Sequence, residues 1–408
     1  MNRRHFIGTA LASLPAPHLI QAATNSEPEG VIIIYLAGGP PNIDMFDMKP
    51  LAPLEMRGEF NPINTNVPGI RICELMPKLA TIADKFSIIN SLDGQFDEHC
   101  SHQSFSGFNI GKPWPCFGSL ITELKGYKHP MVPPFVFLGP ETDHKLWSHP
   151  GVTSFLGREA AATEPCNTEL MKLKVSNQIF KSRLSLAKSL NKLNNVDTLK
   201  THQEQATSIL TSGLFLDALD ENKISEIEKD KYGRGSKKKV ADGAWTDLNQ
   251  FIIARRLIEA GSRVVSLVFG RWDWHGNNFG QAKQYFPLLD QGLHALISDI
   301  YERQLNIQVL VWGEFGRTPK INKTAGRDHW AGSNGCLLSG PSLKTGQVIG
   351  STDKVCAYPE DRPIHNQEVF ATLYHNLGVD PEKTIVYEGN RPHHILEHRT
   401  PIEELIII

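Results

Sequence analysis

None of the six cysteines in this chain forms a Cys-x-x-Cys pair; they stand singly at Cys73, Cys100, Cys116, Cys166, Cys336 and Cys356. A thiolate zinc site is therefore excluded as the organising feature. The even count permits disulfides without pairing them, and 408 residues can build a core without their help. Long apolar runs are also missing. None approaches the roughly 18 residues needed to span a bilayer, so no stable membrane insertion of the mature chain is expected. Net charge is small, −2, with an isoelectric point near 6.8. No basic field covers the whole chain, which argues against nucleic acid as the partner.

What is present is an ordinary soluble balance, 40% hydrophobic and 21% charged, with histidine in excess: 16, against 8 tyrosines and 7 methionines. Imidazole is a common metal ligand, so the excess points mildly toward metal chemistry. At the N-terminus, Arg3 and Arg4 precede a modestly apolar stretch that ends near Ala22-Ala23. Paired arginines, an apolar segment and small residues resemble a twin-arginine export signal, which sets residues 1–23 apart from the fold. A periplasmic or otherwise exported protein is expected, with the twin-arginine machinery as a partner. Residues 24–408 read as a single domain, interrupted by a polar helical insertion at about 165–232.

The informative features are strand ends. Residues 31–36, 263–269 and 307–312 are continuous apolar runs, as buried parallel strands have, and 86–90 and 134–138 add two more. In an open α/β sheet, ligands bind beyond the carboxyl ends of the strands. Chemistry-bearing residues gather at those places. After the first run, Gly38-Gly39-Pro40-Pro41 leads to Asp44, a candidate cation ligand, and Asp47, a second ligand or a helix cap. After 86–90, Asp97-Glu98-His99-Cys100-Ser101-His102-Gln103 packs titratable and nucleophilic groups into seven residues, with Ser101 the nearest hydroxyl nucleophile. After 263–269 comes GRWDWHGNN, where Asp273 and His275 can converge on one cation. After 307–312 come Glu314, Arg317, Arg327, Asp328 and His329. The acids and histidines are candidate metal ligands, and the arginines could neutralise a phosphate or sulfate. Asp143, His144 and His149 after 134–138, and His393-His394 late in the chain, are more distant candidates. Helices are expected at 73–84, 244–260, 287–301 and 365–377.

Three long motifs, GGPPNIDMFDMKP, ARRLIEAGSRVV before WDWHGNN, and EFGRTPKIN before GRDHW, occur in an order that resembles the DUF1501 family. That family is grouped with the alkaline phosphatase/sulfatase superfamily. The resemblance implies an α/β, alkaline phosphatase-like sandwich: a central mostly parallel sheet flanked by helices. It also implies one or two divalent metal ions (Zn, Mn or Ca) and hydrolysis of a phosphate or sulfate ester of a small molecule or a glycan. The metal ligands expected are Asp44, Asp273, His275, Glu314, Asp328 and His329; Ser101, Arg317 and Arg327 are the expected catalytic groups. The sulfatase Cys-x-Pro-Ser-Arg segment is absent, since Cys100-Ser101-His102-Gln103-Ser104 lacks both proline and arginine. A formylglycine sulfatase is not expected. The alternative is a non-catalytic binding or envelope protein on the same fold.

Overall fold

The structure is a computed structural model that describes residues 28–109, 111–139, 149–165, 178–179, 182–183, 185–186, 207–209, 213–238, 243–387 and 391–407. The expected export signal, Asp143, His144, Cys166 and much of the expected helical insertion lie outside the described residues.

The sheet is assembled from β1 (Gly30–Tyr35), β2 (Phe86–Asp93), β3 (Phe135–Leu138), β4 (Val264–Val268), β5 (Ile307–Trp312), β6 (Asn334–Ser339), β7 (Gln347–Ile349) and β8 (Ile364–His365). Its order is β7-β2-β6-β5-β1-β4-β3, with β8 also beside β2. Every pairing is parallel except the two made by β6, which runs against β2 and β5. β2 and β5 therefore point the same way. Tyr35 lies in register with Val268 on one side and Trp312 on the other, so β1, β4 and β5 end at one level.

The continuous apolar runs follow from burial on both faces. Ile32 and Ile34 face α3 (Asn249–Ala260) and α4 (Asn278–Glu302), while Val31, Ile33 and Tyr35 face α2 (Phe117–Lys125), which follows the short α1 (Ser101–Ser106), and α5 (Asn366–Asn376). All five of these strand residues are 0–1% exposed, and each apolar side chain so buried contributes about 1.5–3 kcal/mol. Mixed α/β architecture with a large, mostly parallel sheet is what the sequence implies.

Element boundaries shift in places. The helix expected at 244–260 starts only at Asn249, because Ala244 and Trp245 pair by backbone hydrogen bonds with Gly270. The helix expected at 287–301 starts at Asn278 and carries Pro287 inside it. The helix expected at 73–84 shrinks to Pro77–Ala80, with Cys73 in the short strand Arg71–Cys73. His365 stands just outside α5 as its N-cap. The five described cysteines are buried free thiols, and no helix among the described residues is long and apolar enough to cross a membrane.

Candidate metal centre

The loops leaving β1, β2, β4 and β5, together with the segment entering β6, meet at one edge of the sheet. β6 is antiparallel, so its entrance lies where the other strands exit. His329 reaches the same place from that direction, in a short antiparallel pair where Arg317 sits opposite it.

The turn after β1 sets the floor. Gly38 and Gly39 have φ of +107° and +75°, a region that L side chains rarely adopt. There is also no room for a side chain: a Cβ on Gly38 would sit 2.4 Å from the Asp273 nitrogen, and one on Gly39 would sit 2.5 Å from the Phe315 ring. This conformation aims both backbone N–H groups at the fully buried carboxylate of Glu314. Gly38 donates at 2.8 and 3.0 Å and Gly39 at 3.2 Å. Glu314 Oε1 also lies 3.1 Å from His99 Nδ1. Beside it, Tyr35 is fully buried, and its hydroxyl approaches Glu314 without meeting hydrogen-bond geometry. Burial first, and the Glu314 charge second, push that phenol well above its usual range.

Asp273 is the hub. Its Oδ1 accepts from Arg317 Nη2 at 2.6 Å and lies 2.9 Å from His275 Nε2 and 3.3 Å from His329 Nε2. Its Oδ2 lies 3.6 Å from His99 Nε2 and 3.4 Å from Arg271. Burial alone would raise this carboxyl. Hydrogen bonds to His329, His99 and Arg317 overcome that and hold it well below the usual carboxylate range. Burial likewise opposes the charged form of His99, yet its contacts with Asp273 and Glu314 raise the imidazole above its ordinary value.

The outer nitrogen of each histidine faces an oxygen that can only accept. Nδ1 of His275 is 2.9 Å from Asp328 Oδ1, Nδ1 of His329 is 3.0 Å from the Asp97 carbonyl, and Nδ1 of His99 faces Glu314. Each Nδ1 therefore carries its proton; each Nε2 is turned toward Asp273, donating to it when the ring is protonated and presenting a bare lone pair when the ring is neutral. The Nε2 atoms of His275 and His329 are 3.1 Å apart. Bare nitrogens and a carboxylate converging in this way repel one another unless a cation lies among them. Zinc bonds of about 2.0–2.1 Å would set tetrahedral neighbours about 3.3–3.4 Å apart, close to the spacings found. One ligand atom each from His99, Asp273 and His329 fall within 4.8 Å of one another. Oxygen held against the far nitrogen of each ring is the outer support that metal-binding histidines use.

The other expected site residues are placed differently. Asp44 and Arg327 pair with each other: Nε and Nη2 of the arginine each donate at 2.8 Å to the two carboxylate oxygens, and both residues are 0–1% exposed. Asn278 adds a third hydrogen bond to Asp44, and Arg327 also donates to the carbonyls of Met56, Thr318 and Pro319. This pair ties the first loop to the last one. Arg317 is likewise buried, donating to the Gly38, Gly39 and Arg327 carbonyls as well as to Asp273. The Ser101 hydroxyl is 1% exposed and donates to the His149 carbonyl at 2.8 Å. Glu314 supports the turn and His99 rather than joining the knot around Asp273. Asp328 is the outer partner of His275. Asp47 is held by Lys49 at 2.8 Å, with Thr352 and Cys356 also donating to it.

His99 is the residue that the strand-end reading passed over in favour of Ser101. The signal was there: it sits in the seven-residue polar cluster after β2. Ser101, however, opens the helix Ser101–Ser106 and is carried inward, while His99 stays in the loop that faces Asp273. The centre is open on one side, with the His275 side chain 49% exposed against 18% for His99 and 23% for His329.

Among solved structures, the chain is similar to Ps i-CgsB, crystallised with k-i-k-neocarrahexaose, at 11% identity and a TM-score of 0.42, covering 87% of this chain and 72% of that one. It is similar to the C-terminal periplasmic domain of EcEptC from Escherichia coli, in complex with Zn, at 10% identity and a TM-score of 0.39, covering 93% and 96%. It is also similar to a TAB5 alkaline phosphatase mutant with bound Mg, at 10% identity and a TM-score of 0.38, covering 86% and 99%. No curated protein matches the chain. The model of the family described as "Protein of unknown function (DUF1501)" matches residues 28–406, and the chain belongs to that family.

Proposed function

We propose that this protein is an exported, metal-dependent hydrolase of phosphate or sulfate esters. One observation carries the reading: three imidazole Nε2 atoms, each with its Nδ1 held by an oxygen, converge on the single carboxylate of Asp273 at an open sheet edge. Nitrogen and carboxylate donors together suit zinc or another divalent transition metal better than a hard ion such as calcium. A cation held there supplies Lewis acidity toward an ester oxygen and offsets negative charge developing on it.

The chain's own residues divide the remaining work. Asp273 stays ionised over the working pH range and gathers the three histidines. Asp328, the Asp97 carbonyl and Glu314 fix the tautomers. Arg317 holds Asp273 against the turn, and the Asp44–Arg327 pair holds the last loop against the first. Ser101 is turned away toward His149, so in this reading water is the nucleophile. Export rests on the paired Arg3-Arg4.

The test combines elemental analysis of protein purified without chelators or a metal-affinity tag with turnover of p-nitrophenyl phosphate and p-nitrophenyl sulfate. At least one equivalent of a divalent metal is expected, with hydrolysis of one ester abolished by Asp273→Asn. A chain that neither contains metal nor takes it up would overturn the reading and favour a binding or envelope protein on this fold.

A further inference from the structure

Among the described residues, three arginines bond to the acids that follow β1 and β4, and two of them are shut off from any substrate. Arg327 uses all five of its N–H groups inside the protein, on Asp44 and on the carbonyls of Met56, Thr318 and Pro319, and is 0% exposed. Arg317 donates to Asp273 and to three backbone carbonyls, with its side chain 1% exposed. Arg271 differs from both. Its side chain is 25% exposed, and its Nη2 lies 3.4 Å from Asp273 Oδ2.

The backbone on both sides of Arg271 is pinned. Gly270 exchanges backbone hydrogen bonds with Ala244 and Trp245 at 3.2 and 2.9 Å, and Trp272 donates to the Ala37 carbonyl at 2.8 Å. The Trp274 indole donates to the carbonyl of Arg271 itself at 2.6 Å. The side-chain stem packs on Gly243, where a Cβ would sit 2.3 Å from Arg271 Cβ. Nη1 then donates to the Asp273 carbonyl at 2.6 Å. A guanidinium fixed at its root and at its head has little freedom left to lose when it meets a ligand.

Asp273 does not need this second arginine. Its Oδ1 already accepts from Arg317 at 2.6 Å. The 3.4 Å contact with Oδ2 is long for a charge-assisted hydrogen bond, usually about 2.7–2.9 Å, and a partly exposed ion pair of this kind contributes little to stability. What the position does supply is a solvent-accessible cation beside the metal ligands. Oδ2 is shared with His99 Nε2, 3.6 Å away, and His99, Asp273 and His329 are the three residues whose ligand atoms gather within 4.8 Å. The planar fork of a guanidinium matches two oxygens of a tetrahedral oxyanion.

We propose that Arg271 receives the oxygens of a tetrahedral oxyanion, the phosphate or sulfate group of the substrate, and that it does so in place of Arg317 and Arg327. Its role toward an ester rests on the hydrolase reading; binding of the free anion tests it apart from turnover.

The experiment is titration calorimetry on the full chain, as purified and after addition of zinc, with inorganic phosphate and with inorganic sulfate. At least one anion should bind, and which one binds says which ester the centre prefers. Arg271→Met should weaken that binding roughly tenfold or more, the equivalent of one lost charge-assisted hydrogen bond, with metal content unchanged. Arg271→Lys, which keeps the charge without the fork, should fall between the two. Lys323→Met, which removes an exposed cation from the loop before His329, should bind as the wild type does. Melting curves show whether each variant is folded; if the methionine variant is not, Arg271→Gln decides. The proposal is overturned if neither anion binds, if the folded Arg271 variant binds like wild type, or if Lys323→Met weakens binding as much. Metal lost from Arg271→Met would make Arg271 a support for Asp273 and overturn it too. Failure of the hydrolase reading looks different: anion binding that needs Arg271, in a chain that cleaves neither p-nitrophenyl ester, keeps the oxyanion site and removes the hydrolase. Turnover with an unchanged KM in Arg271→Met does the reverse.

Discussion

His275 and His329 face each other through their Nε2 atoms at 3.1 Å, although 54 residues separate them in the chain. Each ring has its other nitrogen against an oxygen, Asp328 for one and the Asp97 carbonyl for the other. Two neutral imidazoles so held cannot hydrogen-bond to each other, because neither Nε2 has a proton to give. A proton or a metal ion must be shared between them and Asp273.

Replacing either histidine with alanine should therefore lower metal affinity at least about tenfold, the scale on which even outer partners of metal ligands act. Metal should also be released on acidification, because its ligands must be deprotonated and protons compete with the ion for them. Competition titration with a chromogenic chelator measures both. Unchanged affinity in both variants would rule out the centre as described.

Arg327→Met should leave the Asp44 carboxylate buried without its bidentate partner. Breaking a buried pair in this way costs about 3–5 kcal/mol, seen as a lower urea midpoint. The fraction that remains folded should still hold its metal, because Asp44 points at Arg327 and Asn278. Metal lost with no change in stability would instead make Asp44 a ligand.

Gly38→Ala should damage the centre from below. The substitution puts a Cβ into a backbone with φ of +107° and 2.4 Å from the Asp273 nitrogen. Strain of this kind costs about 1–3 kcal/mol, and relief requires Asp273 to move. Lower thermal stability together with weaker metal binding is the expected pairing; a variant indistinguishable from wild type in both would show that the turn can relax without disturbing Asp273.

A pH effect on stability should arise far from the metal, at the start of α5. His365 Nδ1 accepts from the Gln367 N–H at 3.2 Å, and its ring stacks on His398 with centroids 3.6 Å apart. Burial, then the neighbouring His398, lower this imidazole to about 4 from its ordinary 6.5. Because the folded value lies below the unfolded one, its contribution is present above about pH 6.5 and is lost as pH falls toward 4. His365→Asn keeps a capping oxygen but cannot titrate. Urea unfolding at several pH values should therefore show a shallower fall for the variant between pH 6.5 and 4. Identical slopes would mean that His365 is not one of the groups responsible.

Much of this was legible in the residues alone, for reasons that differ from element to element. The runs at 31–36, 263–269 and 307–312 are apolar without alternation because helices cover both faces of the sheet, and that pattern is local. Asp273, His275 and His329 stood out because polar, ligand-type side chains directly after such runs have little to do in a core. Helix starts were less legible. Pro287 suggested a beginning where the helix in fact runs through it, and the segment around Trp245 pairs with Gly270 instead of coiling.

The sequence by itself determined the sheet, its family and the edge at which chemistry collects, because continuous burial and strand-end composition are properties of contiguous residues. Only the tertiary structure decided how the charges are shared. It closed Asp44 onto Arg327 across 283 residues, set Glu314 under the Gly38-Gly39 turn, and buried the Ser101 hydroxyl against His149. It also brought His99 to Asp273 from a different strand end. A carboxylate and a cation attract at whatever sequence separation the loops allow, so which acid finds an arginine and which finds histidines depends on the path of the backbone between them.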